Sequence, residues 1–286
     1  MTQLLRAMFI GSHGKLREGW WIATFLLLVL VLLMPLLLLS EQAGRQPSVA
    51  EQALIILAAT WVCQHLRRRS LAEVTGPPDR RWAAEFSIGA GAGSVLMLLP
   101  ACVLLITGTI SWQATMIPVE EAAAAIGAML IVAIAEELLF RGFLFQRLLS
   151  AIGIWPAQLA IAGLFLLTHL HNPGMSGGTA FLAGINIFMA SMLFGFAYVR
   201  TQSLAMPIGL HWMANAVQGP LLGLGVSGNS GTGVLHPSFL SDAAWLTGGV
   251  FGLEASVPGT LCVGAALVIA AAAGRGSSAR GGASSA

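Results

Sequence analysis

An all-α, polytopic membrane bundle is the fold this sequence predicts, and three observations predict it. Of the 286 residues, 56% are hydrophobic and only 9% are charged, with a mean hydropathy of +0.81. A soluble domain carries about 25% charged residues, so this chain cannot clothe itself in a water-facing surface. A soluble enzyme, a disordered chain and a nucleic-acid partner are excluded on that ground. Apolar runs of the length that crosses a bilayer, about 20 residues in a helix, recur along the chain. The basic residues, 13 Arg and one Lys, fall into alternate connections between those runs.

About eight transmembrane helices account for the pattern. The first is Trp20 to Leu39, too long and too strongly flanked for a signal peptide, with a Pro35 that membrane helices tolerate. The second runs near Glu51 to Leu66. The third, Phe86 to Ile110, opens with Gly89, Gly91 and Gly93, which suit close helix packing. The fourth starts near Glu121 and passes Arg141 to about Leu149; the Glu120–Glu121 pair suits its N-terminus. The fifth is Pro156 to about His169, the sixth Thr179 to Val199, the seventh Ala205 to about Leu222. The eighth lies within Ala243 to Ala273, interrupted by Glu254 and Pro258, with Val257 to Ala273 as the expected span. Residues 1–273 thus read as one transmembrane domain, and the Gly/Ser/Ala-rich tail 274–286 as disordered.

Charge supports the count. With the N-terminus inside, cytoplasmic segments hold Arg6, Lys15, Arg17, Arg67, Arg68, Arg69, Arg80, Arg81, Arg147, Arg200, Arg275 and Arg280, and outer loops hold Arg45 alone. That asymmetry places both termini in the cytoplasm. The Gly/Ala/Arg-heavy composition points to a bacterial chain, hence a multi-pass protein of the inner (plasma) membrane. Trp20, Trp21, Trp82, Trp112 and Trp155 read as interface anchors. Cys63, Cys102 and Cys262 lack paired spacing and read as small apolar residues.

Ionisable residues inside spans are costly and usually pair or function. Glu136 and Glu137 precede Arg141, and Glu137 and Arg141, four apart, can pair on one helix face. Glu136, about 100° around the helix, faces elsewhere. His169 ends the fifth span; His171 lies at or beyond the break before Pro173. His211 and Asn215 share one face of the seventh span. Helical rise puts Glu136 about 16 Å from Arg147 and His169 about 20 Å from Pro156, with His211 at a similar depth and Asn215 deeper. A carboxylate, two imidazoles and an amide therefore sit at one level. His13, His65 and His236 read as surface or interfacial residues.

This set has the parts for peptide hydrolysis. Glu136 is the candidate general base, its pKa open to adjustment by burial and by Glu137. His169 would share the water, His211 and Asn215 would meet the oxyanion, and Glu137–Arg141 would fix the helix, with Arg141 also placed to meet a substrate carboxylate. Imidazoles also bind metals, so a divalent metal such as zinc held by Glu136, His169 and His211 stays open. No His-Glu-x-x-His, Gly-x-Ser-x-Gly or serine–lysine arrangement occurs.

Glu136-Glu137-x-x-x-Arg141, Phe165-x-x-x-His169 and His211-x-x-x-Asn215, with the flanks EELLFRGFLFQ and FGFAYVRTQSLAMPIGLHWMAN, resemble the three motifs of the CPBP intramembrane proteases, which include type II CAAX prenyl endopeptidases and bacteriocin-processing or self-immunity proteins. The matching core is about residues 122–218. The resemblance implies an eight-helix core, a cavity open to the cytoplasm, water activation by Glu136 with His169, and oxyanion stabilisation by His211 and Asn215. It implies a membrane-associated protein or peptide as substrate, prenylated CAAX-type chains included, and leaves metal dependence open. Two other classes compete. A non-catalytic scaffold or self-immunity protein would use the same pocket for binding. A transporter would relay protons through it, although the chain lacks the repeated broken spans that mark such sites.

Overall fold

The computed structural model describes residues 16–231 and 233–281, with side chains through 272. Arg6, His13, Lys15 and the last five residues of the tail lie outside the described residues, and Arg275 and Arg280 are described by backbone alone. The order is α1 (Glu18–Gln42), α2 (Val49–Leu66), α3 (Arg80–Ile106), β1 (Ile110–Ala114), α4 (Val119–Phe140), α5 (Phe143–Ile152), α6 (Ile154–His169), α7 (Gly177–Thr201), α8 (Ala205–Ala216), β2 (Leu235–Phe239) and α9 (Val257–Gly281). Single helical turns at Ala72–Thr75 and Ala244–Thr247 join them.

Five stretches among the described residues, not eight, are long and apolar enough to cross a bilayer: Glu18–Gln42, Val49–Leu66, Ala72–Ile106, Val119–Ile152 and Gly177–Thr201. They make the chain a multi-pass membrane protein, in keeping with the expected plasma-membrane location. The expected fifth, seventh and eighth spans are helices, but shorter ones. α6 has 16 residues and α8 has 12, about 24 Å and 18 Å of rise, and the apolar part of α9 is Val257–Ala272. Shortness has a physical reason at α8. Pro220 lacks an N–H, and the chain leaves the α-helix through a π-turn at Val217–Leu221, closed by the Leu222 N–H on the Val217 carbonyl.

Two further departures concern loops and breaks. The Ile110–Ala114 segment, whose first residue was expected to end the third span, is a strand paired antiparallel with Leu235–Phe239. Trp112 Nε1 also ties β1 to the end of the π-turn by donating to the Leu222 carbonyl at 2.8 Å. The fourth span breaks at Arg141–Gly142, between α4 and α5; a Cβ on Gly142 would meet the Leu138 carbonyl.

The helix pair that carries much of the site is α3 with α8. Gly89 and Gly93, spaced as a Gly-x-x-x-Gly motif, press on the Met206 and Leu210 carbonyls, and Gly209 presses back on Phe86. Small residues let membrane helices approach this closely. Gly91, expected to join them, faces open space. Gly93→Leu is expected to force α8 away from α3 and lower thermal stability in detergent by several degrees, whereas Gly91→Leu leaves the melting temperature unchanged. A thermal unfolding series on the two purified variants checks this.

The bundle has two distinct ends. At one, Arg147 bonds Glu18 at 3.2 Å, the Arg81 guanidinium donates to the Thr201 carbonyl, and the Arg67 guanidinium lies over Trp21 and Phe143. At the other, β1 meets β2 and Asn172 Nδ2 donates to the Ser227 carbonyl at 2.9 Å.

Candidate active site

Each site residue is placed by a specific local feature. Glu136 and Glu137 stand one turn before the α4–α5 break. Glu137 and Arg141 are both 0% exposed, and Arg141 Nη1 donates to Glu137 Oε1 at 3.2 Å. Arg141 Nη2 donates to the carbonyl of Ser191 and to its Oγ, at 2.8 and 2.7 Å. The same guanidinium lies 5.0 Å from the Phe165 ring centroid and 5.2 Å from that of Phe194. A buried cation with this coordination is a structural tie between α4, α6 and α7. Arg141 is fully buried and lines no part of the cavity, which places it behind the wall that a substrate would meet.

Glu137 has a second partner that the sequence did not suggest. His211 Nδ1 lies 2.9 Å from Glu137 Oε1. An ionised carboxylate only accepts, so Nδ1 carries a hydrogen. His211 Nε2 is then directed to the other side, 3.7 Å from Glu136 Oε2. Phe194 stacks on the imidazole, with centroids 4.8 Å apart and planes inclined by 16°. Glu137 therefore orients His211, in the way a carboxylate holds a working histidine elsewhere.

His169 is anchored by the same logic through backbone. Its Nδ1 lies 2.7 Å from the Phe165 carbonyl oxygen, an acceptor only, so Nδ1 donates. In the neutral ring Nε2 then carries the lone pair. The motif residue Phe165 thus serves by its carbonyl, while its ring packs on His169 at 4.6 Å and edge-on against Phe140 at 4.9 Å. Asn215, one turn beyond His211 on α8, is 8% exposed.

Glu136, Phe165, His169, His211 and Asn215 all line one cavity of about 680 Å³, a volume in the range of small-molecule and peptide sites. The matched depths read from the sequence thus correspond to a shared wall. Glu137 and Arg141 lie behind it. Other parts of its wall are apolar, with Leu96, Met97, Val132 and Val263.

One functional candidate was passed over. Glu254, read only as an interruption of the eighth span, lines the same cavity. Its Oε2 accepts from the Ser227 N–H at 2.7 Å and from the Ser227 hydroxyl at 2.9 Å. Burial pushes this carboxyl up, against the two Ser227 donors that hold it down. A carboxylate inside an apolar segment was the available signal.

Among the described residues no three His, Cys, Asp or Glu side chains gather closely enough to hold an ion. Glu136, His169 and His211 therefore do not form the three-ligand site that a zinc reading requires, and no step below is routed through one.

No curated protein and no solved structure matches the chain. Residues 118–217, which hold α4 to α8 and every motif residue above, match the model of the family described as Type II CAAX prenyl endopeptidase Rce1-like.

Proposed function

We propose that the protein is an intramembrane endopeptidase that hydrolyses a peptide bond of a membrane-associated protein or peptide. The observation that carries this reading is the anchoring of both cavity imidazoles through Nδ1, which directs each Nε2 away from its anchor, that of His211 toward Glu136. A water held between Glu136 and His169 Nε2 loses a proton to the Glu136 carboxylate as its oxygen attacks the scissile carbonyl. The developing oxyanion is met by the Asn215 amide and by Nε2–H of a protonated His211, whose charge Glu137 balances. Glu136 then passes its proton to the departing amine, and the C–N bond breaks.

The orientation proposed with it has the arginine-rich end in the cytoplasm, both termini included, by the charge rule. The short helices α6, α8 and α9 complete the bundle around the cavity. A non-catalytic scaffold or self-immunity role is the competing reading, because it needs the pocket without its chemistry. Terminal proteomics of membranes carrying wild-type protein or equally expressed Glu136→Ala separates the two. New peptide termini only with wild type are expected; identical termini in both would overturn the proteolytic reading.

A further inference from the structure

We infer that substrate enters this cavity from the membrane face opposite the arginines, so that the polypeptide cut is an outer-facing internal segment of a membrane-anchored chain. The inference rests on the proteolytic reading above and deepens it. It departs from the cytoplasm-facing cavity that the sequence resemblance implies.

Three observations carry it. First, the exposed residues among those lining the cavity are Val49, Gln52, Thr168, Asn229, Ser230 and Gly231. All belong to the bundle end where β1 pairs with β2 and where Arg45 pairs with Glu51. Residues 53–95, 141–164 and 195–210, which contain Arg67, Arg68, Arg69, Arg80, Arg81, Arg147 and Arg200, contribute nothing to the lining.

Second, the opposite approach is blocked. Between the site and the arginine-rich end lie Phe143, Phe145, Tyr198 and Leu204, each at most 4% exposed. Gln146 ties this layer to the Val74 carbonyl at 3.0 Å. Arg141 is fully buried behind the site and bonded to both Glu137 and Ser191. Basic residues remain on the cytoplasmic side of a membrane protein, so the open mouth faces out.

Third, the lining chemistry selects an internal segment over a free C-terminus. The cavity is lined by two carboxylates, Glu136 and Glu254, and by no Lys or Arg. A terminal carboxylate entering it would lose its hydration without gaining a permanent counter-charge. An extended internal segment carries no such charge. Its backbone amides can meet the uncharged rim of Gln52, Asn229 and Ser230, and its apolar side chains can meet Leu96, Met97 and Val132.

The test uses the full chain in cells, in a background with Cys102→Ser and Cys262→Ser and the buried Cys63 retained. Ser230→Cys and Arg68→Cys are each treated with a membrane-impermeant maleimide before and after permeabilisation. Ser230→Cys is expected to label on intact spheroplasts, and Arg68→Cys only after permeabilisation. Labelling of Ser230→Cys only after permeabilisation would overturn the inference. In the same cells, termini that depend on Glu136 are expected in outer-facing internal segments. Termini confined to the last few residues of cytosolic tails would overturn it as well. If no termini depend on Glu136, the proteolytic reading itself fails and this inference fails with it. The labelling then still reports which face the cavity opens to, so the two failures are told apart.

Discussion

Glu136→Gln is expected to lower the hydrolysis rate by about 10²- to 10⁴-fold, the range that a positioned general base supplies, while the protein stays folded and still binds substrate. The change keeps the size and polarity of the side chain and removes its ability to take a proton. Its fold should survive because Glu136 makes no hydrogen bond that ties helices together; its Oε2 is buried without a hydrogen-bond partner, facing His211 Nε2 at 3.7 Å. The measurement is the rate of appearance of wild-type-dependent peptide termini, alongside the melting temperature and substrate crosslinking of the purified variant. Turnover within about threefold of wild type would move the base role to another acceptor in the cavity, the His169 Nε2 lone pair or the Glu254 carboxylate. A collapse of the melting temperature would make Glu136 a structural residue.

The sequence carried some of this site openly and hid the rest for identifiable reasons. Glu136, His169, His211 and Asn215 were legible because an ionisable or polar group in an apolar helix is expensive, and helical rise converts spacing to depth. The Glu137–Arg141 pair was legible because its members are four residues apart. The Glu137–His211 bond was not, because 74 residues separate its members and depth says nothing about azimuth. The same limit hid Ser191 and Phe194, an ordinary serine and phenylalanine in a helix, which become partners of Arg141 and His211 only when α7 packs beside α6 and α8. Span number was overcounted because hydropathy registers an apolar helix without registering where Pro220 ends it early. The β1–β2 pair was missed because Leu235–Phe239 is five residues with a proline, too short to signal a strand without its partner. Glu254 was seen and misjudged: interruption of a span is the same observation as a carboxylate brought into the cavity.

Arg141→Ala is expected to cost about 3–5 kcal/mol, the penalty for leaving a buried ion without its partner, and to leave little folded protein in the membrane. Three losses coincide. Glu137 would keep only His211 as a hydrogen-bond partner, although both carboxylate and imidazole are buried. The Ser191 carbonyl and hydroxyl would lose the donor that joins α7 to α4. The faces of Phe165 and Phe194 would border a cavity the size of a guanidinium. Arg141→Lys separates charge from geometry. It restores the positive charge next to Glu137, but a single ammonium cannot span the two directions that Nη1 and Nη2 now serve. Partial recovery of stability is therefore expected, with activity still depressed, because His211 is oriented through the same Glu137 oxygen that Arg141 holds. Thermal unfolding in detergent and the rate of terminus formation read the two effects separately. If Arg141→Ala were as stable as wild type but inactive, Arg141 would belong to the reaction rather than to the frame. Full activity in Arg141→Lys would show that charge alone positions Glu137, and that the bond to Ser191 contributes nothing to the alignment of His211.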